Sequence, residues 1–370
     1  VCTTLCTEDS VNDLCDVCKE NVANCVGSKN EEQPVDHVEE HKEDKTDNNP
    51  DEPAEDQAEV KSVVLSGNGT KEDPFLIDNA EDLKAFRDSV NENITYENLF
   101  VKLTDNIDLE NKEWTPIGNK EKKIYFKGTF NGNDKEISGL SIDTDDEYVG
   151  LFGAIEDAVI KNLTVSGSVT GINAAGIVAR MNGGTVENCV NNVDVNGKNK
   201  KAGGIICLTN SNYTNNIINC TNNGDITGNN SIDGLGGIVG YGNGNTTTVD
   251  GCRNTGNIGG NEEKYAGGII GYATGADAEV KNCENTGEIT ANELAGGIIG
   301  IITGGYSVKD CTNRGEVFAN NTAGGIAGGD ASGVVENCDN NASVIGTFAG
   351  GVCGSVGSRA DVINCSGGTE

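Results

Sequence analysis

Lys281-Asn282-Cys283, then Gly287-Glu288-Ile289, then Gly296-Gly297-Ile298 is the stretch on which the fold turns, because these three blocks return along the chain. The first recurs as Glu187-Asn188-Cys189, Ile218-Asn219-Cys220, Asp250-Gly251-Cys252, Lys309-Asp310-Cys311, Glu336-Asn337-Cys338 and Ile363-Asn364-Cys365, at spacings of 27 to 32 residues. Two earlier copies carry Leu in place of Cys, at Leu140 and Leu163, which gives about nine turns. The second block recurs at Gly224-Asp225-Ile226 and Gly315-Glu316-Val317, and the third at Gly203-Gly204-Ile205, Gly236-Gly237-Ile238, Gly267-Gly268-Ile269 and Gly324-Gly325-Ile326. Three short β-type segments per period, with no helix-length stretch between them, predict an all-β fold: a right-handed parallel β-helix of about nine coils. At about 4.8 Å per coil it would be roughly 45 Å long.

The residue before each Cys tests this. It is always Asn, Asp or Gly, the residues that enter the left-handed region most readily. An apolar residue three places before the Cys (Val186, Val280, Val308, Val335) would face the opposite side of a straight strand, and a left-handed residue between them turns both inward. The seven Cys then form a core stripe of small apolar side chains. Stacked Asn side chains at the bend would bond along the axis as an amide ladder.

Composition agrees. The 370 residues include 52 Gly but only 5 Pro, none after Pro116, as uninterrupted backbone pairing with frequent turns requires. With 26 Lys+Arg against 58 Asp+Glu the net charge is −32, which opposes nucleic-acid and anionic-membrane binding. No apolar run approaches the roughly 18 residues of a membrane span, so no membrane insertion is expected.

Four regions follow: a Cys-rich module over 1–27, an acidic disordered linker over 28–66, an α/β N-terminal cap over 67–120 and the β-helix over 121–370. The linker has many acids and almost no large apolar residue to repay ordering entropy. In the cap, Phe75-Leu76-Ile77 reads as a strand, and Asn79 caps a helix whose apolar face is Ala80, Leu83, Phe86 and Val90. The chain begins at Val1 rather than Met, so removal of an upstream piece is expected. Its last block starts a coil without a Gly-Gly-Ile or a capping helix, so the C-terminal edge is expected to pair with downstream sequence or another chain.

Gly150-Leu151-Phe152-Gly153 has the Gly-Leu-hydrophobic-Gly signature of the GLUG repeats, with variants at Gly237-Ile238-Val239-Gly240, Gly268-Ile269-Ile270-Gly271 and Gly297-Ile298-Ile299-Gly300. With Asp73-Pro74-Phe75, Trp114-Thr115-Pro116-Ile117-Gly118 and Phe126-Lys127-Gly128-Thr129-Phe130, residues 67–370 resemble GLUG-repeat bacterial surface β-helices. Related repeats lie upstream of the catalytic part of immunoglobulin-A metallopeptidases, within the pectin-lyase-like superfold. The resemblance implies a secreted or cell-wall-associated protein of a Gram-positive bacterium. Its role would be that of an adhesin, a binder of carbohydrate or a host surface protein, or a spacer, without catalysis. The Cys-rich start resembles a small module found ahead of such domains in gut Firmicutes. Its five Cys form either disulfides or a zinc site in which Cys15 and Cys18 supply one ligand pair.

The competing class is a polysaccharide lyase or glycoside hydrolase of pectin-lyase-like fold. Both His lie in His37-Val38-Glu39-Glu40-His41, a zinc-peptidase string stranded in the acidic linker, which leaves the β-helix without His for acid-base work. Carboxylate chemistry has one candidate pair, Glu288 and Glu316, equivalent positions one coil apart that also suit ligand binding. Tyr241 and Tyr272 should stack on the outer face, an arrangement that suits sugar rings as well as plain cross-coil packing. Asp143, Asp145, Asp146 and Glu147 are hard-oxygen candidates for Ca²⁺, with a solvated acidic loop as the alternative.

Overall fold

The computed structural model describes residues 65–368 apart from 229–232, 245, 261, 276–277, 330–331 and 358–359. The Cys-rich module, Cys15 and Cys18, and all but the last two residues of the linker lie outside the described residues.

The chain winds into a parallel β-solenoid. Phe75, Val101, Phe130, Ile160, Val186, Ile217, Val249, Val280, Val308, Val335 and Val362 pair in parallel register, each one coil beyond the last. This makes about ten turns rather than nine. The earlier start reflects the cap, whose strands Phe75–Ile77 and Phe100–Leu103 are already rungs of the same stack. Helix α1 (Ala80–Asn91) closes this end. The Asn79 side chain accepts from Glu81 N and Asp82 N, and α1 buries Leu83, Phe86 and Val90, as its 3.6-residue spacing demands.

Every predicted bend takes the left-handed conformation. Asn188, Asn219, Asn282, Asp310, Asn337 and Asn364 have φ of 51° to 53°, and Gly251 has 64°. Asn162, before Leu163, does the same at 52°. The Cys stripe is therefore internal, with Cys189, Cys220, Cys252, Cys283, Cys311 and Cys338 at most 2% exposed. All nine Cys of the solenoid are free thiols, and each stripe Sγ donates to a backbone carbonyl, Cys283 to Lys281 O at 3.1 Å for example. Burial pushes the Cys189 thiol well up, so it stays protonated.

Three expectations are corrected. Leu140 does not belong to the stripe. It pairs with Gly167, whereas Leu163 pairs with Lys135, because two register shifts separate that coil from the next. The later coils have four or five short strands instead of three, for example Glu279–Lys281, Glu284–Asn285, Ile289–Ala291, Leu294–Gly296 and Ile299–Ile302. The third expectation is the amide ladder. At the bend it is intermittent, with Asn188 Nδ2 donating to Asn162 Oδ1 and Asn282 Nδ2 to Asp250 Oδ1.

The continuous ladder lies two residues after each Cys. Asn191, Asn222, Asn254, Asn285 and Asn313 each donate from Nδ2 to Oδ1 of the next, ending on Asn340, at 2.7 to 2.8 Å. All six are at most 2% exposed. A buried amide is costly unless its groups are paired. Here the second N–H of each is also used, on the carbonyl two residues ahead, as Asn285 does on Gly287 O at 2.9 Å. The second glycine of the Gly-Gly block packs against this ladder. A Cβ on Gly268 would lie 2.4 Å from Asn285 Cγ and one on Gly297 2.3 Å from Asn313 Cγ, so any side chain there would displace the amides.

Candidate functional site

Tyr241 and Tyr272 are cross-coil partners, stacked with centroids 4.8 Å apart and planes 5° off parallel. Their ring faces are largely spent within the molecule. Lys201 Nζ sits over Tyr241 at 4.8 Å, Tyr265 leans on Tyr272 at 5.6 Å, and Tyr241 packs against a small cluster of Ala175, Cys207 and Leu208. In register, Leu208 precedes and Ile301 follows the pair.

Glu288 and Glu316 occupy equivalent exposed positions, since Ile289 pairs with Val317. They end a row that begins as structure. Asp194 Oδ1 accepts Asp225 N at 3.1 Å, Asp225 Oδ1 accepts Asn257 N at 2.8 Å, and Asn257 Oδ1 accepts Glu288 N at 3.2 Å. From Glu288 onward the axial pattern stops, and the Glu288 carboxylate takes only a bond from Thr290 Oγ1 at 3.4 Å. Among the described residues neither Glu288 nor Glu316 has an ion-pair partner. Glu284, one strand away, lies between Arg253 and Arg314 at 3.1 and 2.8 Å, which together lower its pKa, the Arg314 hydrogen bond most.

Sequence reasoning missed Phe318. It lies outward beside Glu316, pairs with Thr290 on one side and Ile345 on the other, and is 36% exposed. The preceding coils carry Thr227 and Gly259 in this row. The signal was a departure from the repeat: a large apolar residue where earlier copies have Thr or Gly. Phe318, Thr290 and Glu288 wall an open groove of about 460 Å³ floored by Gly259 and Gly260.

The acidic loop is brought to lysines. Lys198 Nζ lies 2.9 Å from both Asp143 and Asp145, and Lys200 pairs with Glu147, whose pKa is lowered chiefly by that hydrogen bond. Asp146 stays exposed, its backbone N donating to Thr144 Oγ1. Among the described residues no group of three or more His, Cys, Asp and Glu converges as a metal site would need. A cleft of about 430 Å³ opens beside this loop, between the end of α1 and residues 115–124. Its polar groups are internally engaged. Asn91 bridges Pro116 O and Gly118 N, and Lys120 covers the Tyr148 ring at 5.3 Å.

Residues 263–290 match the model of the GLUG motif. A protein of Evansella cellulosilytica described as "Putative Gly-rich membrane protein" is 34% identical over 134 residues, which is 34% of this chain and 15% of that protein. Halomucin of Haloquadratum walsbyi is 33% identical over 161 residues, 41% of this chain and 2% of that protein. The chain thus matches only a small fraction of the length of these relatives. Among solved structures, one described as a "putative immunoglobulin A1 protease" from Bacteroides ovatus superposes with a TM-score of 0.53 at 18% identity, over 81% of this chain and 86% of that one. This is a likeness of fold. The chain is a parallel β-solenoid that carries a GLUG motif over residues 263–290. Among the described residues no helix is long and apolar enough to cross a membrane.

Proposed function

We propose that this chain is a non-catalytic extracellular β-solenoid, secreted or associated with the cell wall, that serves as a stiff spacer and presents its outer faces for adhesion to a carbohydrate or host protein. The observation that carries this reading is the continuity of the first-strand stack, which the register shifts around Leu140 leave intact. About ten turns share one first-strand stack, and a buried amide ladder and a glycine wall run through six of them. Such a body resists bending and keeps equivalent surface residues at coil spacing. The candidate carboxylates Glu288 and Glu316 stand on an exposed face that nothing screens from water. The names of the relatives, a Gly-rich membrane protein and a halomucin, support a place at the cell surface.

The test has two arms. Incubation with a polysaccharide panel should give no cleavage products, and turnover abolished by Glu288→Gln or Glu316→Gln would replace this reading with a glycoside hydrolase. A glycan and host-protein array should give retention on at least one class. A chain that is neither retained nor at the cell surface on fractionation would remove the adhesive role.

A further inference from the structure

Two rows of the outer face change character at the same coils. In one, side chains stop capping the next coil and leave Glu288 and Glu316 without a cation among the described residues. In the other, Thr227, Gly259 and Thr290 give way to exposed Phe318. Adjacent coils set the backbones of the two residues about 4.8 Å apart, so that two like charges stand directly opposite each other. Neighbouring strand acids are relieved by basic residues, Glu284 by Arg253 and Arg314 and Glu279 by Lys281. This pair has no such relief, and the groove beside it is bounded by an aromatic ring.

The geometry points to a docking face for a basic, extended segment of a partner protein, centred on Glu288, Glu316 and Phe318. An arginine fits each part of it. Its planar guanidinium offers five donors to two carboxylates and stacks on a phenyl ring. A chain of net charge −32 steers such a segment inward. A neutral glycan would satisfy hydrogen bonds but would leave the charge repulsion in place.

The inference rests on the reading of the outer faces as binding surfaces, and its test separates the two. The probe is a synthetic octapeptide of alternating arginine and leucine, titrated into the full chain at low salt and followed by amide shifts. Its glutamate-leucine counterpart and maltoheptaose are run beside it. Shifts should centre on residues 288–290 and 316–318. Affinity should fall about tenfold in Glu288→Gln/Glu316→Gln and in Phe318→Ala, all exposed positions. Glu110→Gln/Glu121→Gln, which removes the same charge elsewhere, should stay within about twofold, since exposed charges away from the contact are screened. Absence of binding, or equal weakening in site and control variants, overturns the proposal. Maltoheptaose shifting these amides while the peptide does not would overturn it too, yet would leave the adhesive reading standing.

Discussion

The cap and the later coils are cores of the same solenoid built on opposite plans. In the cap, Phe86 of α1 meets Tyr96, Phe126 and Phe130 with centroids 5.0 to 5.7 Å apart, and Phe152 continues the cluster. In the coils around residue 285 the repeating core is Val, Ile, Ala, Cys and Asn in register, with the Tyr306 ring buried among them and donating to Gly242 O. A helix laid across a sheet end leaves irregular space that large rings fill, whereas stacked coils must present the same shape on both faces. One region is held by volume and the other by repetition.

Phe86→Ala should break that comparison hardest. Truncating a fully buried ring costs about 3–5 kcal/mol. Hydrogen exchange should quicken in α1 while the coils beyond residue 215 stay protected. Asn285→Ala is the counterpart in the repeat: it leaves Asn254 without an acceptor and Asn313 without a donor. The expected loss is about 2–3 kcal/mol, centred on the coils on either side. A change confined to one side would mean that the ladder does not couple coils.

Smaller effects sharpen the contrast. Asn282→Val forces a β-branched residue into a left-handed bend and should cost about 1–3 kcal/mol in chemical denaturation, whereas Asn282→Gly should be nearly neutral. Equal losses would mean that the Asn282–Asp250 bond matters more than the backbone. The smallest effect concerns pH. Burial raises the Cys207 thiol from 9.0 to about 12. The folded state therefore holds the proton where the unfolded chain has released it. That contribution is complete below pH 9 and is lost as pH rises from 9 towards 12. Cys207→Ala should flatten the decline in melting temperature across that window.

Much of the fold was legible because its devices are local and repeated. Asn188, Asn219 and Asn282 announce left-handed bends from residue type alone, and Cys189 to Cys338 announce a buried stripe by spacing. The buried ladder was equally repeated, as Asn191, Asn222 and Asn254, yet it was missed. A polar residue at a core position contradicts hydrophobic patterning, and only the pairing between coils makes it affordable. Leu140 misled because a register shift carries no composition signal. Tyr241 and Tyr272 were read as a stacked pair, which they are, but Lys201 and Tyr265, which occupy their free sides, come from elsewhere in the coils. Phe318 was visible only as an exception to the repeat.

The amide ladder also has a direction. Each inner Asn, from Asn222 to Asn313, gives to the coil ahead and receives from the coil behind, so each of these coils offers one face as donor and the other as acceptor. A duplicated coil inserted between any two of them would find both faces already matched, and neither end of the solenoid would register the change. Length is thus a free variable of this architecture, adjustable in steps of about 4.8 Å by counting repeats, while the chemistry of the cap and of the outer rows stays as it was.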